Sequence, residues 1–190
     1  ASYLERMVER KRIEVDNLLR RHNEPEDKLV MRMSYMASEN LYNVTKSLQL
    51  ETVDEEDGDL RRLSVMVDLK RRSPTVRDRK NVVEFSNAPK FAELLALAGT
   101  DAFLINTDDA EYGGRYEDLK ACSDAVRLQT PGDKHPPGCI YKDIIIHPVQ
   151  IAQALDNGAA GVLLIVSVVG ADLEVLLDAC TIMGVEPLVE

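Results

Sequence analysis

From residue 61 onward, short runs of branched and aliphatic residues alternate with amphipathic stretches, and this alternation limits the fold more than any other feature of the chain. The runs are Leu63–Leu69, Ala102–Asn106, Cys139–Ile145, Gly161–Val166 and Glu186–Val189. Between them lie Pro89–Ala98, Tyr116–Arg127, Pro148–Asn157 and Asp172–Met183, three of which end at a glycine that stops a helix: Gly99, Gly158 and Gly184. Nearly continuous apolar strands separated by helices predict a parallel sheet covered by helices. Two architectures satisfy this, a doubly wound sheet and a (β/α) barrel. The first turn, Lys70-Arg-Arg-Ser-Pro-Thr75, contains no glycine, so it is neither a dinucleotide-binding turn nor a phosphate loop, and the nucleotide-binding doubly wound fold loses weight.

The residues before this region read differently. Leu4, Met7, Val8, Val15, Leu18 and Leu19 fall on one face of a helix spanning residues 2–21, and a second helical stretch covers residues 26–49. Six carboxylates in the nine residues 51–59 repel one another and predict a solvated linker. The expected organisation is therefore a helical extension with its acidic linker over residues 1–60, then an α/β unit over 61–190. With 33 acidic and 23 basic side chains and a net charge of −10, the chain is not a basic nucleic-acid scaffold. Cys122, Cys139 and Cys180 are an odd, widely spaced set, predicting reduced, buried thiols in a reducing compartment. No apolar run is long enough to cross a bilayer, so an aqueous location is expected. His22, His135 and His147 are scattered, and no metal or cofactor is implied.

Charge collects at the ends of the predicted strands. In parallel α/β sheets the carboxyl ends of all strands open on one side, where ligands and chemistry are placed. Asp68 and Lys70 are two residues apart and project to the same side of the first strand, with Ser64 and Met66. Lys142 interrupts an otherwise apolar run, which costs several kcal/mol unless the ammonium reaches solvent in a cleft or is paired with a carboxylate such as Asp68 or Glu190. The segment 70–80 carries six basic residues and one acidic, including Arg77, Arg79 and Lys80, and reads equally as a solvated loop or as a local positive patch suited to a small anion rather than a polymer.

These residues spell a recognisable pattern. The motifs Asp68-Leu-Lys70-Arg-Arg-Ser-Pro74, Thr107-Asp-Asp-Ala-Glu-Tyr-Gly-Gly-Arg-Tyr-Glu-Asp-Leu119, Tyr141-Lys-Asp143, Val149-Gln-Ile151 with Gly158-Ala159, Val162-Leu-Leu-Ile165 and Gly184-Val-Glu-Pro-Leu-Val-Glu190 occur in order. In these the chain resembles indole-3-glycerol-phosphate synthase, a (β/α)₈ enzyme of tryptophan biosynthesis, and residues 3–15 resemble that family's leading helix. The resemblance implies a lyase that closes a ring on a phosphorylated carboxyphenylamino-deoxyribulose with loss of carbon dioxide and water, without a cofactor.

It also implies roles. Lys142 matches the general acid acting on the substrate carbonyl, Lys70 the lysine that contacts the substrate carboxylate, and Glu190 a carboxylate that moves protons during dehydration. Asp68 stands where the family has a second glutamate. Ser73 matches a loop serine near the substrate, while Leu163 and Ile165 match apolar residues lining the pocket. Ile144 and Tyr112 replace two phenylalanines, the first of which packs on the substrate ring, and Arg115 replaces a serine. At about 30 residues per βα unit, residues 61–190 hold about five of eight units. The remaining strands and their phosphate site are expected from further chain, or from a protein partner covering the open edge. An alternative expectation is a catalytically inactive relative, a pseudoenzyme serving as an assembly subunit. The spelling of 107–119 resembles plastid and plant members, which makes plastid stroma the alternative to cytoplasm.

Overall fold

A computed structural model describes residues 2–22, 25–37, 44–48, 63–75, 85–130, 132 and 135–190. The acidic run 51–59 and the basic residues Arg77, Arg79 and Lys80 lie outside the described residues. Five strands, β1 (Met66–Leu69), β2 (Ala102–Asn106), β3 (Gly138–Lys142), β4 (Gly161–Leu164) and β5 (Glu186–Val189), form one parallel sheet in sequential order. Sequential order with every strand parallel is the arrangement of a barrel wall, not of a doubly wound sheet, whose order reverses. The helices are α1 (Tyr3–His22), α2 (Glu26–Ala37), α3 (Val44–Leu48), α4 (Ala88–Leu97), α5 (Asp109–Tyr112), α6 (Tyr116–Gln129), α7 (Pro148–Asp156), α8 (Val166–Val169) and α9 (Leu173–Met183).

The strand runs read from sequence are mostly right in place and too long at their ends. β5 matches its predicted span, but β3 ends at Lys142, and Asp143–Ile146 turns away toward α7. The apolar character that extended the prediction to Ile145 comes from burial in that turn, where Ile144 and Ile145 are 6 % and 2 % exposed. Likewise β4 stops at Leu164, and Val166 starts the unpredicted helix α8. The predicted helix 26–49 is represented by α2 and α3, with residues 38–43 outside the described set.

Strand alternation separates two environments. Val67, Leu69, Phe103, Ile105, Cys139, Tyr141, Val162 and Leu164 face the helices and share one core with residues of α4, α6, α7 and α9. Met66, Leu104 and Ile140 face the other way and pack with Val44 and Leu48 of α3. That second packing depends on glycine: a Cβ on Gly138 or Gly161 would lie 3.2 or 3.0 Å from Val44 Cγ2. Glu186, at the start of β5, accepts hydrogen bonds from Thr45 N (2.8 Å) and Thr45 Oγ1 (3.0 Å), tying α3 to the amino end of the sheet. The opposite, carboxyl end of the same face is thereby left for Asp68, Lys70 and Lys142.

Candidate active site

Asp68, Lys70 and Lys142 meet at the carboxyl end of that face. The register pairs Asp68 with Leu104 and Leu104 with Ile140, so Lys142, two residues beyond Ile140, lies on the same side of the sheet. Asp68 Oδ2 accepts from Lys70 Nζ and from Lys142 Nζ, each at 2.9 Å. All three side chains are between 24 % and 30 % exposed, so the group is partly sheltered yet open to a ligand. Asp68 Oδ1 is buried and accepts no hydrogen bond from the described residues. One carboxylate thus holds two ammonium groups side by side, an arrangement chemically able to hold an anion and to deliver a proton to an oxygen developing negative charge.

The other residues expected at the site distribute around this group. Tyr112 ends α5, where its carbonyl accepts from Arg71 N (3.2 Å) and Arg72 N (2.9 Å), fixing the loop after β2 against the loop after β1. Burial raises the Tyr112 phenol pKa, and the nearby Lys70 ammonium works against it. Arg71 strengthens the same junction through Asp118 and the Gly113 carbonyl, the latter at 2.9 Å. Gly114 lets the loop after β2 fold back onto the end of its own strand, since a Cβ there would lie 1.9 Å from Asn106 O. Ser73 is buried and its hydroxyl is 2.8 Å from Thr75 Oγ1. Leu163 is buried and alternates onto the lysine side of β4, followed by Ile165 at the start of α8. Ile144 lies buried in the turn after β3. Glu190 is placed by its backbone, with Glu190 N donating to Leu164 O (2.9 Å) and Val166 N donating to Glu190 O (2.8 Å). Its side chain is exposed and touches neither lysine.

A second charged cluster was not anticipated from sequence. Helix α1 crosses the loops that follow β2 and β3 and drives Lys11 into them until it is 4 % exposed. Lys11 Nζ lies 2.9 Å from Asp143 Oδ1, 2.6 Å from Glu14 Oε2 and 3.6 Å from Asp108 Oδ2. The neighbouring Arg10 pairs with Asp108. Asp143, next in sequence to Lys142, also accepts from Thr107 Oγ1 (2.7 Å) and its own neighbour Ile144 N (2.7 Å), and Tyr141 OH lies 3.4 Å away, itself 2.6 Å from Tyr116 OH. Burial works to lower the Lys11 pKa, and the carboxylates of Asp143 and Glu14 reverse it, holding the ammonium above its ordinary value. Burial raises the Asp143 carboxyl, with Lys11 and the Thr107 hydroxyl opposing. A signal for this cluster did exist: Lys11 sits four residues from both Met7 and Val15, in the middle of the apolar stripe of α1.

Comparison with known proteins supplies a family. The family model for indole-3-glycerol phosphate synthase matches residues 4–190. The chain belongs to the indole-3-glycerol phosphate synthase family. It is 36 % identical over 129 residues to the indole-3-glycerol phosphate synthase of Opitutus terrae, covering 67 % of this chain and 46 % of that one. To the Aquifex aeolicus synthase it is 33 % identical over 127 residues, 66 % of this chain and 44 % of that one. A multifunctional tryptophan biosynthesis protein of Schizosaccharomyces pombe is 34 % identical over 128 residues, 67 % of this chain and 16 % of that protein.

The chain therefore spans less than half the length of the synthases it matches. Its five-stranded sheet is part of the family's (β/α) barrel, and β1 and β5 are its two edges, with Leu63, Val65, Leu188 and Val189 exposed there. Among the described residues no group of three or more His, Cys, Asp or Glu is placed to hold a metal ion, and no helix is long and apolar enough to cross a membrane. Cys122, Cys139 and Cys180 are all buried and free.

Proposed function

We propose that the chain carries the lysine–carboxylate part of an indole-3-glycerol-phosphate synthase site, in which a phosphorylated carboxyphenylamino-deoxyribulose closes to an indole with loss of carbon dioxide and then water. The observation that supports this best is the single Asp68 oxygen 2.9 Å from both Lys70 and Lys142 at the carboxyl end of a parallel barrel wall. In this reading Lys142 protonates the substrate carbonyl as the new carbon–carbon bond forms, because an ammonium stabilises the charge that develops on that oxygen. Lys70 receives the substrate carboxylate, Asp68 orients both lysines, and Glu190 exchanges protons in the dehydration that follows. Tyr112, Ser73, Ile144, Leu163 and Ile165 surround the substrate.

The phosphate and the remaining wall of the pocket are assigned to βα units outside residues 1–190, in the same polypeptide or a partner, which would also cover the exposed apolar edges of β1 and β5. The relatives bear the synthase name and lend no support to a non-catalytic assembly subunit. A reducing compartment, cytoplasm or plastid stroma, fits the three buried unbridged thiols. The test is turnover: full-length protein containing these residues converts the carboxyphenylamino-deoxyribulose phosphate to indole-glycerol phosphate, and Lys142→Ala, still folded, loses at least about 10²-fold in kcat. A folded full-length protein without turnover would sink the assignment.

A further inference from the structure

Lys142 is one residue from a carboxylate that is bonded from several sides among the described residues. Asp143 lies just past the end of β3 and is 4 % exposed, and the three donors nearest its two oxygens are Lys11, the Thr107 hydroxyl and the Ile144 amide, with the Tyr141 hydroxyl farther off at 3.4 Å. Those three donors come from α1, from the residue after β2 and from the turn after β3 itself. Asp143 follows directly on Lys142 where β3 ends, and while its carboxylate is pinned beneath α1 the Lys142 ammonium reaches Asp68, so fixing Asp143 fixes the end of the strand that carries Lys142. Lys11 is the only one of the three that carries charge, and the only one delivered from outside the sheet. Arg10, by contrast, reaches Asp108 and Glu111 on the loop after β2 and does not touch Asp143.

From this arrangement we infer that Lys11 is a positioning residue for Lys142, acting through Asp143, so that the leading helix α1 is a working component of the site and not only a cover over it. The inference rests on the reading of Lys142 as the ammonium of the site. With Lys11 removed, the Asp143 carboxylate loses its ionic partner, the turn 143–146 is held by fewer bonds, and the Lys142 ammonium is released from its contact with Asp68.

The experiment compares acetylation of Lys142 by acetic anhydride, followed by mass spectrometry at one fixed pH, in wild-type full-length protein and in Lys11→Met, Asp143→Asn, the double variant and Arg10→Gln. Lys120, in a surface pair with Asp124, serves as internal reference. In Lys11→Met the Lys142 rate rises about fivefold relative to Lys120, the upper range for loss of a partly exposed ion pair. Asp143→Asn gives the same rise, the double variant no more than either, and Arg10→Gln changes the rate less than about twofold. In turnover assays Lys11→Met lowers kcat by about tenfold with KM within about twofold, the pattern of a misplaced reacting group. An unchanged Lys142 rate in folded Lys11→Met, additive effects in the double variant, or an equal effect of Arg10→Gln would each overturn the inference. If Lys11→Met does not fold, Lys11→Gln, which keeps a donor to Asp143 but no charge, is read by the same criteria. Acetylation requires no turnover, so an inactive wild type would count against the synthase assignment alone.

Discussion

Replacing Lys11 by methionine keeps the apolar stem of the side chain and removes the ammonium with its charge and hydrogen-bond donors, so the stability change reports chiefly on the buried pair with Asp143. Lys11 is 4 % exposed and Asp143 is 4 % exposed, so neither charge is well screened by water. Removing one partner of a buried pair costs about 3–5 kcal/mol. Asp143 keeps its bonds from Thr107 Oγ1 and Ile144 N, both 2.7 Å, which places the loss near the lower end of that range. At about 3 kcal/mol the expected fall in Tm for a chain of this size is about 6–12 °C.

The pH dependence has a definite sign. Burial already raises the Asp143 carboxyl and Lys11 is the main group opposing it, so without Lys11 the folded-state value climbs further above the unfolded one. A carboxyl raised on folding binds more protons in the native state, so its contribution is present at low pH and is lost as pH rises through the folded value. The deficit of Lys11→Met relative to wild type is therefore largest at neutral pH and shrinks as pH falls toward the ordinary carboxyl range, by at most about 1.4 kcal/mol per pH unit. Urea unfolding followed by circular dichroism at pH 5, 6 and 7 measures it. A deficit that stays constant or widens toward pH 5 would refute the reasoning, because it would mean that no buried carboxylate had been left without its cation.

Two further outcomes follow from packing and burial. Gly114→Ala puts a Cβ 1.9 Å from the carbonyl oxygen of Asn106, a contact with backbone that cannot yield without moving the loop, and should lower stability by more than about 2 kcal/mol in thermal unfolding; a neutral substitution would show that the loop after β2 does not pack tightly on the end of its own strand. Burial pushes the Cys122 and Cys180 thiols up to about 12, so both should react with iodoacetamide at pH 8 at least about tenfold slower in native protein than in urea; equal rates would contradict the burial.

Much of this architecture is legible in the chain because it depends on local rules. The period of two in the strands and about 3.6 in the helices, with Gly99, Gly158 and Gly184 at positive φ after α4, α7 and α9, places most elements within a few residues. The same period places Asp68 and Lys70 on one face, and the cost of an unpaired ammonium correctly suggests a carboxylate for Lys142. The errors at β3 and β4 share a cause: Ile144, Ile145 and Val166 are apolar, and apolar character does not distinguish a strand from a buried turn or a short helix.

What the residues could not reveal on their own is which distant groups meet. Asp68 and Glu190 were equal partners for Lys142 on paper, and only the register across β2 brings Asp68 to 2.9 Å while Glu190 stays exposed. Lys11 in the apolar stripe of α1 looked like one more charge on a charged helix. Two of its three carboxylates, Asp108 and Asp143, lie about a hundred residues or more away in sequence, and docking of the helix over the ends of β2 and β3 turns it into a buried ion. Propensity and periodicity act over a few residues and can be read directly, whereas desolvation and Coulomb energy depend on distances through space that only the folded chain defines.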